Sequence, residues 1–258
     1  MADEKENIVD LSEKGMKDGK QISLDRRLFI KFTAFNNCKD REMLKDITSA
    51  FRRNGVSAVI YQDLNDPSGI GIVNWYEMDK LGSNDLRNVF QTESFSLLNH
   101  KSEFDMLGRT YSIGYEQDLE DTLLVRPLNK ILDENNEFGI WYPLRRKKEF
   151  YVLPEAKQKK ILGEHGSLAK RYGHDNLATD IRLACHGLDK NDNDFVIGLL
   201  GFYLHPLSAV VEEMRTTEQT SQYLESLGPF FVGRRIWHYQ SQGIDEDTKD
   251  TWRPEYSL

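Results

Sequence analysis

The sequence predicts an α+β protein: two ferredoxin-like β-α-β-β-α-β units in one chain, pairing their antiparallel sheets in the manner of a dimeric α+β barrel, with helices over the outer faces. Two observations predict it. Between residues 26 and 240 one order of strand-type and helix-type runs occurs twice, with turn residues at matching places. In each half the middle strands form a hairpin between two helical segments. The halves share few residues, so the repeat lies in the pattern and not in identity.

The elements follow in order. Residues 1–25 are polar, charged and aperiodic, and predict a disordered N-terminal tail. The first unit, 26–118, opens with the strand-type run "RLFIKFTAF" (27–35). In "KDREMLKDITSAFRRN" (39–54) Met43, Ile47 and Phe51 recur every four residues, which predicts an amphipathic helix. "SAVIYQDL", the turn "NDPS" and "GIGIVNWY" read as a hairpin. "SNDLRNVFQ" reads as a short helix capped by Ser83, and "TYSIGYE" (110–116) as the closing strand. Residues 119–137 form a connector. The second unit, 138–240, begins with the strand "FGIWYPLRR" (138–146). The helix "PEAKQKKILGEHG" (154–166) follows, with Pro154 suited to its first turn and Gly166 to its end. "DIRLACHGL", the turn "DKNDND" and "FVIGLLGF" form the second hairpin, "LSAVVEEMRTTEQTSQYLE" is helical, and "PFFVGRRIWHY" closes the unit as a strand. Residues 241–258 read as a C-terminal tail or a partner-clasping arm.

Composition narrows the function classes. The formal net charge is −8, which disfavours nonspecific attraction to nucleic acid or to an anionic membrane. Apolar runs stay well below the roughly 20 residues that span a bilayer. The acidic start "MADEKENIVD" lacks the basic and apolar regions of a secretory signal, so a cytoplasmic location is expected. Cys38 and Cys185 stand far apart and form neither a disulfide scaffold nor a zinc pattern. "DKNDND" alternates like a calcium loop, but Asp194 stands where the loop needs glycine and Leu200 where it needs glutamate.

Two stretches carry candidate chemistry. In "ILGEHGS", His165 lies four and three residues after Ile161 and Leu162, so a helix places all three on one face. An inward imidazole there either completes the last turn, favoured by the helix dipole, or ligates a metal as an axial ligand. A lone histidine does not make a structural zinc site. In "WYPLRRKK", Tyr142 is followed by Arg145, Arg146, Lys147 and Lys148. This is either a solvated basic turn or a pocket edge where cations meet carboxylates beside a phenol.

The second half resembles the chlorite dismutase family of haem proteins, which includes the coproheme decarboxylases. The matching stretches are "WYPLRRKK", "ILGEHGSLAKRY", "HGLDKNDNDFVIGL" and "MRTTEQTSQY" followed by "PFFVG", with "RTYSIGYE" a weaker match; the resemblance covers residues 27–235. It implies haem b or iron-coproporphyrin III (coproheme) as the group bound, hydrogen peroxide or chlorite as the small-molecule co-substrate, and a homopentamer. It implies that His165 is the axial ligand of the haem iron and Tyr142 a radical relay. Arg146 and Arg126 would meet porphyrin propionates, as would the hydroxyl of Thr220. Glu218 would accept the N–H of His165 and raise its basicity. On the open side of the iron the resemblance offers Asp180 or Arg182, two residues apart on one strand and so on one face. A tyrosine common in coproheme decarboxylases is replaced here by Thr122.

The activity so implied is peroxide-dependent decarboxylation of porphyrin propionates. The alternatives are chlorite dismutation, which a distal arginine would serve, and a haem carrier or sensor without turnover.

Overall fold

Ordered structure begins earlier than the sequence predicts. The computed structural model describes residues 9–77, 84–241 and 249–252. Within the expected N-terminal tail lies a hairpin, β1 (Glu13–Lys17) and β2 (Lys20–Leu24). Asp18 and Gly19 close it, with φ of 50° and 73°. Asp-Gly adopts this left-handed pair at low cost, so local turn chemistry overrides the polar composition. Glu13 pins the hairpin by accepting from Arg109 at 2.8 Å and from the Ser112 amide at 2.9 Å.

The first unit comprises β3 (Leu28–Asn36), α1 (Arg41–Arg53), β4 (Ala58–Asp63), β5 (Ile70–Glu77), α2 (Asn84–Phe90), α3 (Glu93–Ser96), β6 (Asn99–His100) and β7 (Met106–Arg109). Asp40 caps α1, accepting from the Met43 amide at 2.9 Å. Ser83, expected to cap α2, lies outside the described residues. The expected strand over 110–116 is not one; the closing strand is β7, just before it. The Glu116 carboxylate accepts the amides of Ile113, Gly114 and Tyr115, and Gly114 has φ of 94°. Those amides are bound locally, so the segment folds as a loop despite its alternating sequence.

The connector is helical: a π-helical turn, Asp121–Val125, runs into α4 (Arg126–Leu132). The second unit comprises β8 (Phe138–Arg146), α5 (Lys148–Tyr151), α6 (Glu155–His174), β9 (Thr179–Ala184), β10 (Phe195–Gly201), α7 (Leu204–Met214), α8 (Glu218–Tyr223), β11 (Leu224–Leu227) and β12 (Phe231–Gln240). Part of the expected C-terminal tail is β13 (Lys249–Trp252), hydrogen-bonded along β12. No helix among the described residues is long and apolar enough to cross a membrane.

Each unit has the strand order of the ferredoxin-like motif, β7-β3-β5-β4 and β12-β8-β10-β9. The edges meet: β4 pairs β12 and β7 pairs β9, which closes the two sheets into a barrel. Its interior is filled by Phe32, Tyr61, Trp141, Leu183, Leu200 and Phe231. Gly198 is required here, since a Cβ would lie 2.5 Å from the Trp141 ring.

The outer layers differ. On the first unit α1 drives Ile47 and Phe51 fully into the gap against Ile60, Ile72 and Trp237. On the second unit α6, although 20 residues long, buries only Ile161. Its sheet-facing positions hold His165, Ala169 and Tyr172, which leave space where α1 leaves none.

Candidate functional site

The cleft under α6 is lined from below by strands whose alternation aims every second side chain at it. From β8 come Tyr142 and Leu144, from β10 Ile197 and Leu199, from β9 Asp180 and Arg182. Ile197 pairs with both Tyr142 and Arg182, so these two lie at one level, separated by one strand. Above them, His165, Ala169 and Tyr172 recur at i, i+4 and i+7 on α6. Val210, Met214 and Thr220 close the side. The free space, counted out to the mouth, is about 750 Å³.

His165 stands in the middle of α6, nine residues before its end at His174. The reading of Gly166 as a helix stop is therefore overturned, and with it the placement of His165 in a last turn. "SLAKRY" continues the helix because it contains strong helix formers and no proline. The imidazole is held neutral: burial, then the nearby Arg182 and Arg146 charges, lower its pKa to about 4. Its Nδ1 lies 3.5 Å from Oγ1 of Thr217. That hydroxyl already donates to the Met214 carbonyl at 2.8 Å, so it acts as acceptor toward the ring. A tautomer protonated on Nδ1 satisfies that contact and leaves the lone pair on Nε2.

Glu218 does not fill the place expected for it. It starts α8, and its amide donates to Glu164 at 3.1 Å. Thr217, the N-cap of α8, is the residue turned to His165. A threonine ahead of a helical run with glutamate in its first turn is a capping signal that the sequence does display. Thr217→Ala removes the cap and is expected to cost about 1 kcal/mol. A thermal unfolding curve should show a drop of about 2–4 °C.

Tyr142 is half-buried, with its ring 4.6 Å from that of Phe230. Desolvation of the phenol, then the charge of Asp180, pushes its pKa well above the ordinary range, so the proton stays on oxygen. Asp180 and Arg182 do share a face, and they are bonded to each other: Arg182 Nε lies 3.0 Å from Asp180 Oδ2.

The remaining expected residues divide. Thr220 lines the cleft. Arg146 does not. It shares the face of Tyr142, but its guanidinium is held between the rings of Phe150 and Phe195, at 4.8 and 4.6 Å. Arg126 lines a second, outer cleft that has Asp180 and Arg182 as its shared wall. There it bonds Asp121 at 2.7 Å and Thr122 at 2.8 Å. Two lining residues carry no sequence signal. Gln219 is buried with Oε1 unpartnered, and Lys130 in the outer cleft donates to the Asp180 carbonyl at 2.6 Å. Each sits in an ordinary polar run and becomes notable only through its position.

Comparison with known proteins bears on this arrangement. The chain is similar to a coproheme decarboxylase of Mycolicibacterium smegmatis (strain ATCC 700084 / mc(2)155), with 30% identity over 104 residues. That match spans 40% of this chain and 42% of the relative, less than half of either. In fold it is similar to a haem-binding protein from Thermus thermophilus, with a TM-score of 0.64, 17% identity, and coverage of 82% of this chain and 92% of that one. It is also similar to a variant of chlorite dismutase from Candidatus Nitrospira defluvii, with a TM-score of 0.59, 14% identity, and coverage of 81% and 91%. The family model for chlorite dismutase matches residues 83–236, a span that takes in the connector, the whole cleft and the helix bearing His165. With the doubled ferredoxin-like barrel beside that match, the chain belongs to the chlorite dismutase family.

Proposed function

We propose that the cleft binds an iron porphyrin on His165 and that the protein decarboxylates porphyrin propionates with hydrogen peroxide, coproheme being the substrate and haem b the product. The observation that carries this reading is the pairing of a neutral imidazole on α6 with the protonated phenol of Tyr142 on β8, both facing one cleft. The residues present fit such a group. The cleft is mainly apolar, Nε2 of His165 is free, and the unpartnered Gln219 Oε1 is a polar atom left for a ligand.

When bound, an iron porphyrin supplies the peroxide-driven oxidising power. The chain's own residues do the rest. Tyr142 gives up an electron and its phenolic proton, and the phenoxyl oxygen takes a hydrogen atom from the propionate β-carbon. Loss of a further electron releases carbon dioxide and leaves a vinyl group. Each propionate, with a proton and a peroxide, thus gives a vinyl group, carbon dioxide and two waters. Asp180 exchanges protons with the peroxide, and Arg182 holds the Asp180 carboxylate in place. Thr220 holds a substrate carboxylate, and Arg126 would take another that reaches the outer cleft past the Asp180–Arg182 wall, which is positioning work. Arg146 would join them if the two rings release it.

The test is direct. Ferric coproporphyrin and peroxide are added to the pure protein, and the products are followed by mass. Stepwise loss of two carboxyl groups is expected; unchanged substrate would overturn the reading. A second reading, chlorite dismutation, is favoured by the presence of Arg182 on the cleft wall. Against it, the Asp180 carboxylate already offsets that cation. Dioxygen release from chlorite by the haem-loaded protein would decide for it.

A further inference from the structure

We infer that the surface made by the α5 turn and the start of α6 docks on an anionic lipid bilayer. The basic run 145–148 is only half used by the fold. Arg145 donates to the Asp192 carbonyl at 2.8 Å, and Arg146 lies between two rings. Lys147 and Lys148 are exposed, as are Lys157, Lys159 and Lys160 on α6. Two contacts join these runs into one surface. The Lys147 amide donates to the Tyr223 carbonyl at 2.8 Å, while Lys157 Nζ stands 5.9 Å from the centre of the Tyr223 ring. Gln158 ties the intervening loop to α6 through a 2.9 Å bond to the Leu153 carbonyl.

Between the lysines projects Val152, 83% exposed, the most exposed large apolar side chain among the described residues. Of the five lysines, only Lys159 has a carboxylate partner among the described residues, Glu155 at 2.6 Å.

This chemistry fits lipid better than a protein partner. Protein interfaces favour arginine and aromatic anchors and are depleted in lysine, whereas lysines around an apolar tip are what anionic headgroups attract. Here the arginines are turned inward and the lysines outward. The net charge of −8 disfavours such attraction for the molecule as a whole, but charges beyond a Debye length of about 8 Å are screened at physiological salt, and within this surface the five lysines outnumber the exposed Glu149 and Glu155. The surface adjoins the cleft through α8 and β11, since Tyr223 lies between Thr220 and Leu224, both cleft residues.

The experiment uses the full chain and sedimenting vesicles of phosphatidylcholine, alone or with one part in three of phosphatidylserine. Binding is expected only to the anionic vesicles and should weaken as salt is raised. Lys147→Ala with Lys148→Ala should lower the partition coefficient about 30-fold, at ~1 kcal/mol per lysine. Val152→Asp should lower it too. A matched control, Lys17→Ala with Lys20→Ala on the exposed N-terminal hairpin turn, should leave it unchanged. The inference is overturned if neither vesicle binds, or if the control pair weakens binding equally. It is also overturned if immobilised polyglutamate, but not anionic vesicles, retains the protein through Lys147 and Lys148, which would mark a protein-docking surface. None of these outcomes depends on the porphyrin reading.

Discussion

His165→Ala is expected to weaken iron-porphyrin binding at least about 100-fold, an effect at the upper end of that seen when only a ligand's supporting partner is lost. His165 is the histidine that lines the cleft, and its Nδ1 contact with Thr217 leaves Nε2 available for the proposed ligation. The apolar walls from Leu144, Ile197 and Leu199 would remain, so residual binding is expected. The readout is the absorption band of ferric porphyrin titrated into parent and variant. Added imidazole should restore much of the parent spectrum in the variant, because removal of the side chain leaves room for it. An unchanged spectrum in His165→Ala would remove the basis of the proposed site. The exposed position of α6 makes a folding failure distinguishable: the variant's unfolding curve should stay close to that of the parent.

Tyr142→Phe should leave porphyrin affinity nearly unaltered and slow product formation at least about 100-fold. The ring keeps its packing against Phe230, and only the hydroxyl is lost. If the phenol relays an electron and a proton, no other group at that level of β8 replaces it. Ile197, directly across, is aliphatic, and Arg182 beyond it holds no oxidisable ring. Single-turnover mixing of the loaded variant with peroxide, quenched and analysed by mass, measures the rate. Decarboxylation at the parent rate would refute the relay role while leaving the binding role of His165 intact.

Much of the fold is legible because it rests on local periodicity. Met43, Ile47 and Phe51 announce α1, and the alternation of "FGIWYPLRR" announces β8 to the residue. The misreadings have particular causes. The alternation of "TYSIGYE" is real, but Glu116 binds the amides that a strand would need. Gly166 resembles a stop, yet nothing opposes continuation of α6 through it. The hairpin at Glu13–Leu24 rests on Asp-Gly, a two-residue turn signal that prevails over the polar composition around it. The site is legible in part. His165, Tyr142, Asp180, Arg182 and Thr220 come together around one cleft. Glu218, Arg146 and Arg126 do not join them: cap geometry decides the first, aromatic neighbours the second, and Asp121 and Thr122 hold the third in the outer cleft.

The sequence by itself determined the doubled order of elements and the helix and strand faces on which His165 and Tyr142 lie. These depend on spacing along the chain, which the periods of helix and strand convert directly into faces. Only the tertiary structure decided that α6 stands off the sheet, that Thr217 and not Glu218 meets His165, and that Asp180 and Arg182 neutralise each other. Those outcomes depend on side chains far apart in sequence competing for the same space and the same protons, and no local pattern records the result.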